Sequence, residues 1–187
     1  MSDSKKTHNS FKALFLDAVL FIAAVAADQY TKVLIRNKLP ERSFIDLIPE
    51  KLQLYHHENT GASWGVMQGW TIFFIVVALI VSTALCILLY RLPQDKKYIP
   101  MNIIGTLILS GAIGNTIDRI MKGSVTDFIY VKWINFPIFN VADIYIVVAT
   151  ITLLFMILFY YKDEDLQFMD FLFKKNTASD KQDTEGD

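Results

Sequence analysis

Three stretches of this chain carry no charge for as long as a helix needs to cross a bilayer. Ile72 to Tyr90 runs for 19 residues, Ile99 to Ile117 for another 19, and Ile144 to Tyr161 for 18. A hydrocarbon core is matched by about 20 apolar residues of helix, so each is close to spanning length. A fourth stretch, the 19 residues between Lys12 and Lys32, is interrupted by Asp17 and Asp28. With 53% of the 187 residues apolar and 13% aromatic, an ordinary soluble domain, a disordered chain and a disulfide scaffold are all excluded. The pattern predicts a mainly α membrane protein with four transmembrane helices. It divides into a short N-tail (1–11), a membrane domain (12–161) and a polar tail (162–187).

The N-terminus carries Lys5, Lys6 and Lys12, and Ala24-Val25-Ala26 has the small residues of a cleavage site. Against a cleaved signal peptide, Asp17 breaks the apolar region and the stretch runs on through Val33, Leu34 and Ile35. A retained first helix is expected. Asp17, about one turn from Lys12, is expected to reach back to the membrane surface. Cys86, alone inside the second run, has no partner for an internal disulfide and is expected to face lipid or fill packing.

Basic residues in short loops mark the cytoplasmic side. Arg91, Lys96 and Lys97 crowd the second connection, and with Lys5, Lys6, Lys12, Lys162, Lys174, Lys175 and Lys181 they place both termini there. The two longer connections, about 33–69 and 120–137, then face outward, with Trp64, Trp70 and Trp133 near that interface. Leu47-Ile48, Leu52 to His56 and Phe128 to Val131 read as strand-like segments, which predicts a small sheet over the outer helix ends. The net charge of −1 gives no reason to expect a nucleic-acid partner.

Ionisable groups at membrane depth cost about 2.5–3.5 kcal/mol each at mid-helix and are functional candidates by default. Here they gather at the outer ends of the spans. Asp28 and Lys32, four apart, share a face of the first helix and could form only a local ion pair. Asn115, Asp118 and Arg119 present an amide, a carboxylate and a guanidinium from one face of the third, unless Asp118 and Arg119 merely clasp the helix end. Gly111 and Gly114 there allow another backbone to come close. Asn140 and Asp143 share a face at the start of the fourth helix, where Asp143 could serve only the helix dipole. Sixteen residues earlier stands Asp127. An out-and-back excursion of that length readily returns to its start, so Asp127 and Asp143 can meet. Two close carboxylates share one proton. The ionised one deprotonates a water; the protonated one polarises a carbonyl and later protonates a leaving amine. Such a pair hydrolyses a peptide without a metal or a covalent intermediate.

Asp28 to Lys32 (DQYTK), Asn59 to Gly65 (NTGASWG), Gly111 to Arg119 (GAIGNTIDR), Val125 to Phe128 (VTDF) and Phe139 to Asp143 (FNVAD) together resemble the ordered motifs of the lipoprotein signal peptidase (signal peptidase II) family. The resemblance covers about residues 12–161. It implies an intramembrane aspartyl protease of the bacterial cytoplasmic membrane, without cofactor. Such an enzyme cuts a prolipoprotein on the N-terminal side of its diacylglyceryl-modified cysteine. It also implies four helices with an extracytoplasmic β-cradle and a short periplasmic helix. Position by position, Asp127 and Asp143 match the catalytic pair, and Asn115, Arg119 and Asn140 match polar residues that hold it and the substrate backbone. Asp28, Lys32, Asn59 and Gly61 match motif positions that support the site, and Asp118 falls in the same set. The expected partners are the lipid-modified substrate and membrane lipids, around a monomer. His56-His57-Glu58 and Ser63-Trp64 depart from the family pattern and bear on substrate preference. Two other classes remain open: a proton-coupled transporter using the Asp/Arg cluster as a relay, and a non-catalytic lipid-binding module.

Overall fold

The computed structural model describes residues 3–61, 67–93 and 95–172, with side chains from residue 14 to 169. Ser63, Trp64 and the tail beyond residue 172 lie outside these. Four helices, α1 (Asp3–Lys38), α2 (Thr71–Arg91), α3 (Ile99–Lys122) and α4 (Val141–Phe159), are each long and apolar enough to cross a membrane. Their outward faces are hydrophobic: Ile72, Val148, Ile151 and Phe155 are all more than half exposed, as a lipid-facing surface requires. Cys86 is exposed on α2 in the same way.

The third helix is the centre of the bundle and packs against the other three. Its small residues make this possible. A Cβ on Gly111 would fall 2.6 Å from the Ala142 carbonyl oxygen of α4, and one on Gly114 would fall 2.5 Å from the Asp28 carboxylate of α1. Three helix axes therefore converge at one level, where polar side chains meet.

At that end lies a three-stranded antiparallel sheet, β1 (Phe44–Ile48), β2 (Leu52–Asn59) and β3 (Val125–Val131), in the order β1-β2-β3. Gly123, at φ +78°, caps α3 in the left-handed region, where glycine carries no Cβ penalty. The chain turns there into β3. Outside the spans at this end, the described helical structure is a single 3-10 turn, Lys132–Ile134.

Three features differ from the pattern of apolar residues alone. The helices outlast their apolar windows: α1 continues through Arg36 to Lys38 and α3 through Arg119 to Lys122. Hydrogen bonding propagates past the point where hydropathy stops, and Arg36, Arg119 and Lys122 find partners beyond it. Asp17 does not reach for the surface alone, since Asn102 of α3 donates to its carboxylate at 2.5 Å. The start of the polar tail is also structured. Residues Asp163–Leu172 form a 3-10 segment whose Leu166 and Phe168 pack on a cluster of Leu92, Met101, Tyr98 and Tyr161. Lys97 pairs with Asp165 at 2.6 Å and fastens the segment to the α2–α3 connection.

Candidate active site

Asp127 and Asp143 arrive from different elements and meet through one amide. Asp127 points from β3 and is 3% exposed. Its Oδ2 accepts from Asn59 Nδ2 at 2.9 Å and its Oδ1 from Asn140 Nδ2 at 2.7 Å. Asp143 stands in the first turn of α4. Its Oδ2 accepts from the Asn140 backbone N–H at 3.0 Å, while Asn140 Oδ1 accepts from the Asp143 N–H at 3.0 Å. This reciprocal capping box satisfies the helix terminus. It leaves Asp143 Oδ1 to accept from Asn115 Nδ2 at 2.8 Å. Asp143 is therefore both helix cap and site residue. The fully buried Asn140 joins the pair.

Behind this layer lies a second, drier one. Lys32 is fully buried, 2.9 Å from Asp28 Oδ2 and 3.5 Å from Asp118 Oδ2, and it donates to Asn115 Oδ1 at 2.9 Å. Asp28 Oδ1 accepts from the Ala142 N–H at 3.0 Å, so α1 holds the first turn of α4 that carries Asp143. The Asp28–Lys32 ion pair expected from the i,i+4 spacing exists, but it is buried and tied to both other helices.

The third helix separates its polar residues. Arg119 faces the cavity, with its guanidinium 5.0 Å from the Phe74 ring centroid and Nη2 3.4 Å from the Gly61 carbonyl oxygen. Asp118 turns toward α1, beside Lys32 and 3.7 Å from Arg36, and accepts from the Thr126 N–H at 3.1 Å. The expected single face of Asn115, Asp118 and Arg119 is thus divided. Adjacent helical residues point about 100° apart, and two different neighbours claim them. No Asp118–Arg119 clasp forms.

The carboxylates open into a cavity of about 550 Å³ lined by Asn59, Gly61, Asn115 and Arg119 on its polar side. Its other wall is apolar, with Phe74 from α2, Phe136 and Phe139 from the β3–α4 connection, and Ile144 and Val148 from α4. Asn59 Oδ1 accepts from the Gly61 N–H at 2.9 Å, which fixes the turn at the end of β2. Among the described residues, no three His, Cys, Asp or Glu side chains converge to hold a metal ion.

Burial, and then the neighbouring Asp143 carboxylate, push the Asp127 carboxyl up to about 7, against hydrogen bonds from Asn59 and Asn140 and the charge of Lys32. It therefore holds a proton at pH values where an ordinary carboxylate has lost it. Sequence reading missed the roles of Glu58, Arg36 and Thr126, which form a partly buried network behind β3. The available signal was strand alternation, which puts Glu58 and Asn59 on opposite faces of β2.

Residues 20–159 match the family model described as Signal peptidase (SPase) II. Proteins named lipoprotein signal peptidase are similar along most of the chain. One from Enterococcus faecalis is 41% identical over 127 residues, 68% of this chain and 78% of that one. One from Caldanaerobacter subterraneus is 40% identical over 144 residues, covering 76% and 96%. One from Staphylococcus aureus is 34% identical over 152 residues, covering 79% and 91%. Two solved structures described as bacterial membrane enzymes share the fold. Their TM-scores are 0.68 and 0.67 at 29% and 30% identity, covering 86% and 78% of this chain and 92% and 94% of theirs. The stretch matched by the family model takes in every site residue from Asp28 to Asp143, and the chain belongs to the signal peptidase II family of proteases.

Proposed function

We propose that this protein removes the signal peptide from lipoproteins by aspartyl catalysis, cutting on the N-terminal side of the lipid-modified cysteine. The observation that carries the reading is a pair of carboxylates, Asp127 buried and Asp143 half-buried, joined through Asn140 at the mouth of a cavity with one polar and one apolar wall. The acyl chains lie along the apolar wall, reached sideways from the bilayer. The scissile carbonyl sits between Asp127 and Asp143, and Arg119 and Asn115 hold the peptide backbone. One carboxylate takes a proton from water, and the oxygen attacks the carbonyl carbon. The other carboxyl donates to the developing oxyanion; as the C–N bond breaks, the proton taken from water passes to the leaving cysteine amine, and the collapsing diol returns the donated proton to the pair.

The dense basic connection at the opposite end supports a topology with both termini in the cytoplasm and the pair at the outer face of the cytoplasmic membrane. A proton-relay transporter has less support, because α4 carries no Asp, Glu, Lys, Arg or His beyond Asp143 to continue a path.

The test is a gel-shift assay in detergent micelles on a diacylglyceryl-modified prolipoprotein and its unlipidated form. Cleavage of the lipidated form alone, with the modified cysteine as the new N-terminus, is the expected result. Failure of well-folded enzyme to cut either form, together with proton flux in vesicles, would replace this reading with the transporter.

The working form of the pair carries one proton. The carboxyl held up to about 7 at Asp127 loses it as pH rises, so kcat/KM is expected to fall above about pH 7. On the acid side it falls again as the remaining carboxylate protonates. A kcat/KM profile that stays flat to about pH 9 contradicts a shared proton.

A further inference from the structure

Neighbouring residues of β2 reach neighbouring residues of β3 on both faces of the sheet. On the cavity face Asn59 donates to Asp127. On the far face Glu58 Oε1 accepts from Thr126 Oγ1 at 2.8 Å, and Glu58 Oε2 accepts from Ser124 Oγ at 2.5 Å. Lys122 Nζ stands 3.1 Å from the same carboxylate and His56 Nε2 3.2 Å. Burial works against this anion. Hydrogen bonds from Ser124, Thr126 and His56, with the charge of Lys122, outweigh it and hold Glu58 down at about 2. The Thr126 hydroxyl also accepts from Arg36 Nη1 at 2.9 Å and from Lys122 Nζ, and its N–H is taken by Asp118. The residue before Asp127 is thus gripped by charged groups from α1, β2 and α3. Glu58 itself does not line the cavity.

The strand ladder alone does not explain such a grip. Pairing of β2 with β3 shifts between Leu54 and His57, just before the residues that face the site. A bulge interrupts the ladder locally, and a slip of one residue turns every side chain to the other face. Asp127 would then leave the cavity.

We propose that Glu58 is a positioning residue for Asp127: by clamping Thr126 and Ser124 across the far face of the sheet, it fixes β3 in the register that brings Asp127 to Asn59 and Asn140. The inference rests on the aspartyl reading above.

The test uses full-length enzyme in detergent, the lipid-modified substrate, and the variants Glu58→Ala, Glu58→Gln, Thr126→Val and Thr126→Ser, with Asp127→Asn as control. Glu58→Ala and Thr126→Val are each expected to lower kcat by about 10–100-fold while KM stays within about twofold, since a small misplacement of a reacting group has that effect. Their combination is no worse than the worse single, because both cut one clamp. Thr126→Ser keeps the hydroxyl and stays near wild type. Glu58→Gln keeps the size and one acceptor; its kcat falls less, and it serves if the alanine variant does not fold.

The alkaline limb of the pH profile separates positioning from stability. Asp127 faces Asp143 of α4, Arg119 of α3 and Lys32 of α1, all intact in these variants. A loosened Asp127 gains water and moves off Asp143, so the limb shifts to lower pH. The proposal is overturned by wild-type kcat in Glu58→Ala and Glu58→Gln, by additive effects, or by losses that track folded protein with the limb unmoved. If Asp127→Asn also processes normally, the aspartyl reading fails instead.

Discussion

Asp143→Asn is expected to lower processing of a lipid-modified prolipoprotein by about a thousandfold or more, and Asp127→Asn to match it. General acid–base groups contribute about 10²–10⁴ each, and here both proton transfers pass through one pair. The double variant should therefore be no slower than either single, as for groups acting as a unit. The substitutions also touch the fold. Each carboxylate accepts two donors, and an amide turns its NH2 toward one of them. None of the neighbouring amides is free to flip, because Asn140 Oδ1 already accepts from the Asp143 N–H, Asn59 Oδ1 from the Gly61 N–H and Asn115 Oδ1 from Lys32 Nζ. An unsatisfied buried contact costs about 1–3 kcal/mol, so the thermal midpoint in detergent should be recorded alongside the rate. Near-full processing by a folded Asp143→Asn enzyme would falsify the mechanism.

Lys32→Met should be the most destabilising single change among the site residues. The ammonium is fully buried with Asp28, and Asp118 is 2% exposed beside it. Removing the cation leaves two buried carboxylates without their central partner, which costs about 3–5 kcal/mol where such pairs have been broken. The loss also passes to the site, because Asn115 loses its anchor to α1, and Asp28, which holds the first turn of α4, loses its cation. Arginine does not rescue it, since a planar fork cannot occupy a point-charge position enclosed by three helices. Adding Asp28→Asn to Lys32→Met should recover part of the stability, because a charge leaves with its partner. Chemical unfolding in mixed micelles reads both. A Lys32→Met midpoint equal to wild type would mean that the buried network contributes nothing to the fold.

How much of this was legible depended on the range over which each residue acts. The spans were legible because spanning length is a property of a contiguous run. Asn140 and Asp143 were legible as partners because three residues on a helix share a face. Chain length allowed Asp127 to meet Asp143 without requiring it. The roles of Asp118 and Arg119 were not legible. The sequence places them side by side, and only the packing of α1 on one flank of α3 and the cavity on the other sends them apart. Glu58 looked like a departure from a motif, whereas the folded chain makes it the centre of four side chains.

The Asp17–Asn102 bond and the packing of Phe168 teach the same lesson at the opposite end. The sequence by itself determined a four-span membrane protein with its ionisable groups gathered at one end, because burial in lipid is read residue by residue along the chain. Only the tertiary structure decided which groups line the cavity, which brace it and which hold the strand. Those roles depend on hydrogen bonds of about 3 Å between residues as far apart as Asp28 and Ala142, and no local pattern encodes directions at that distance.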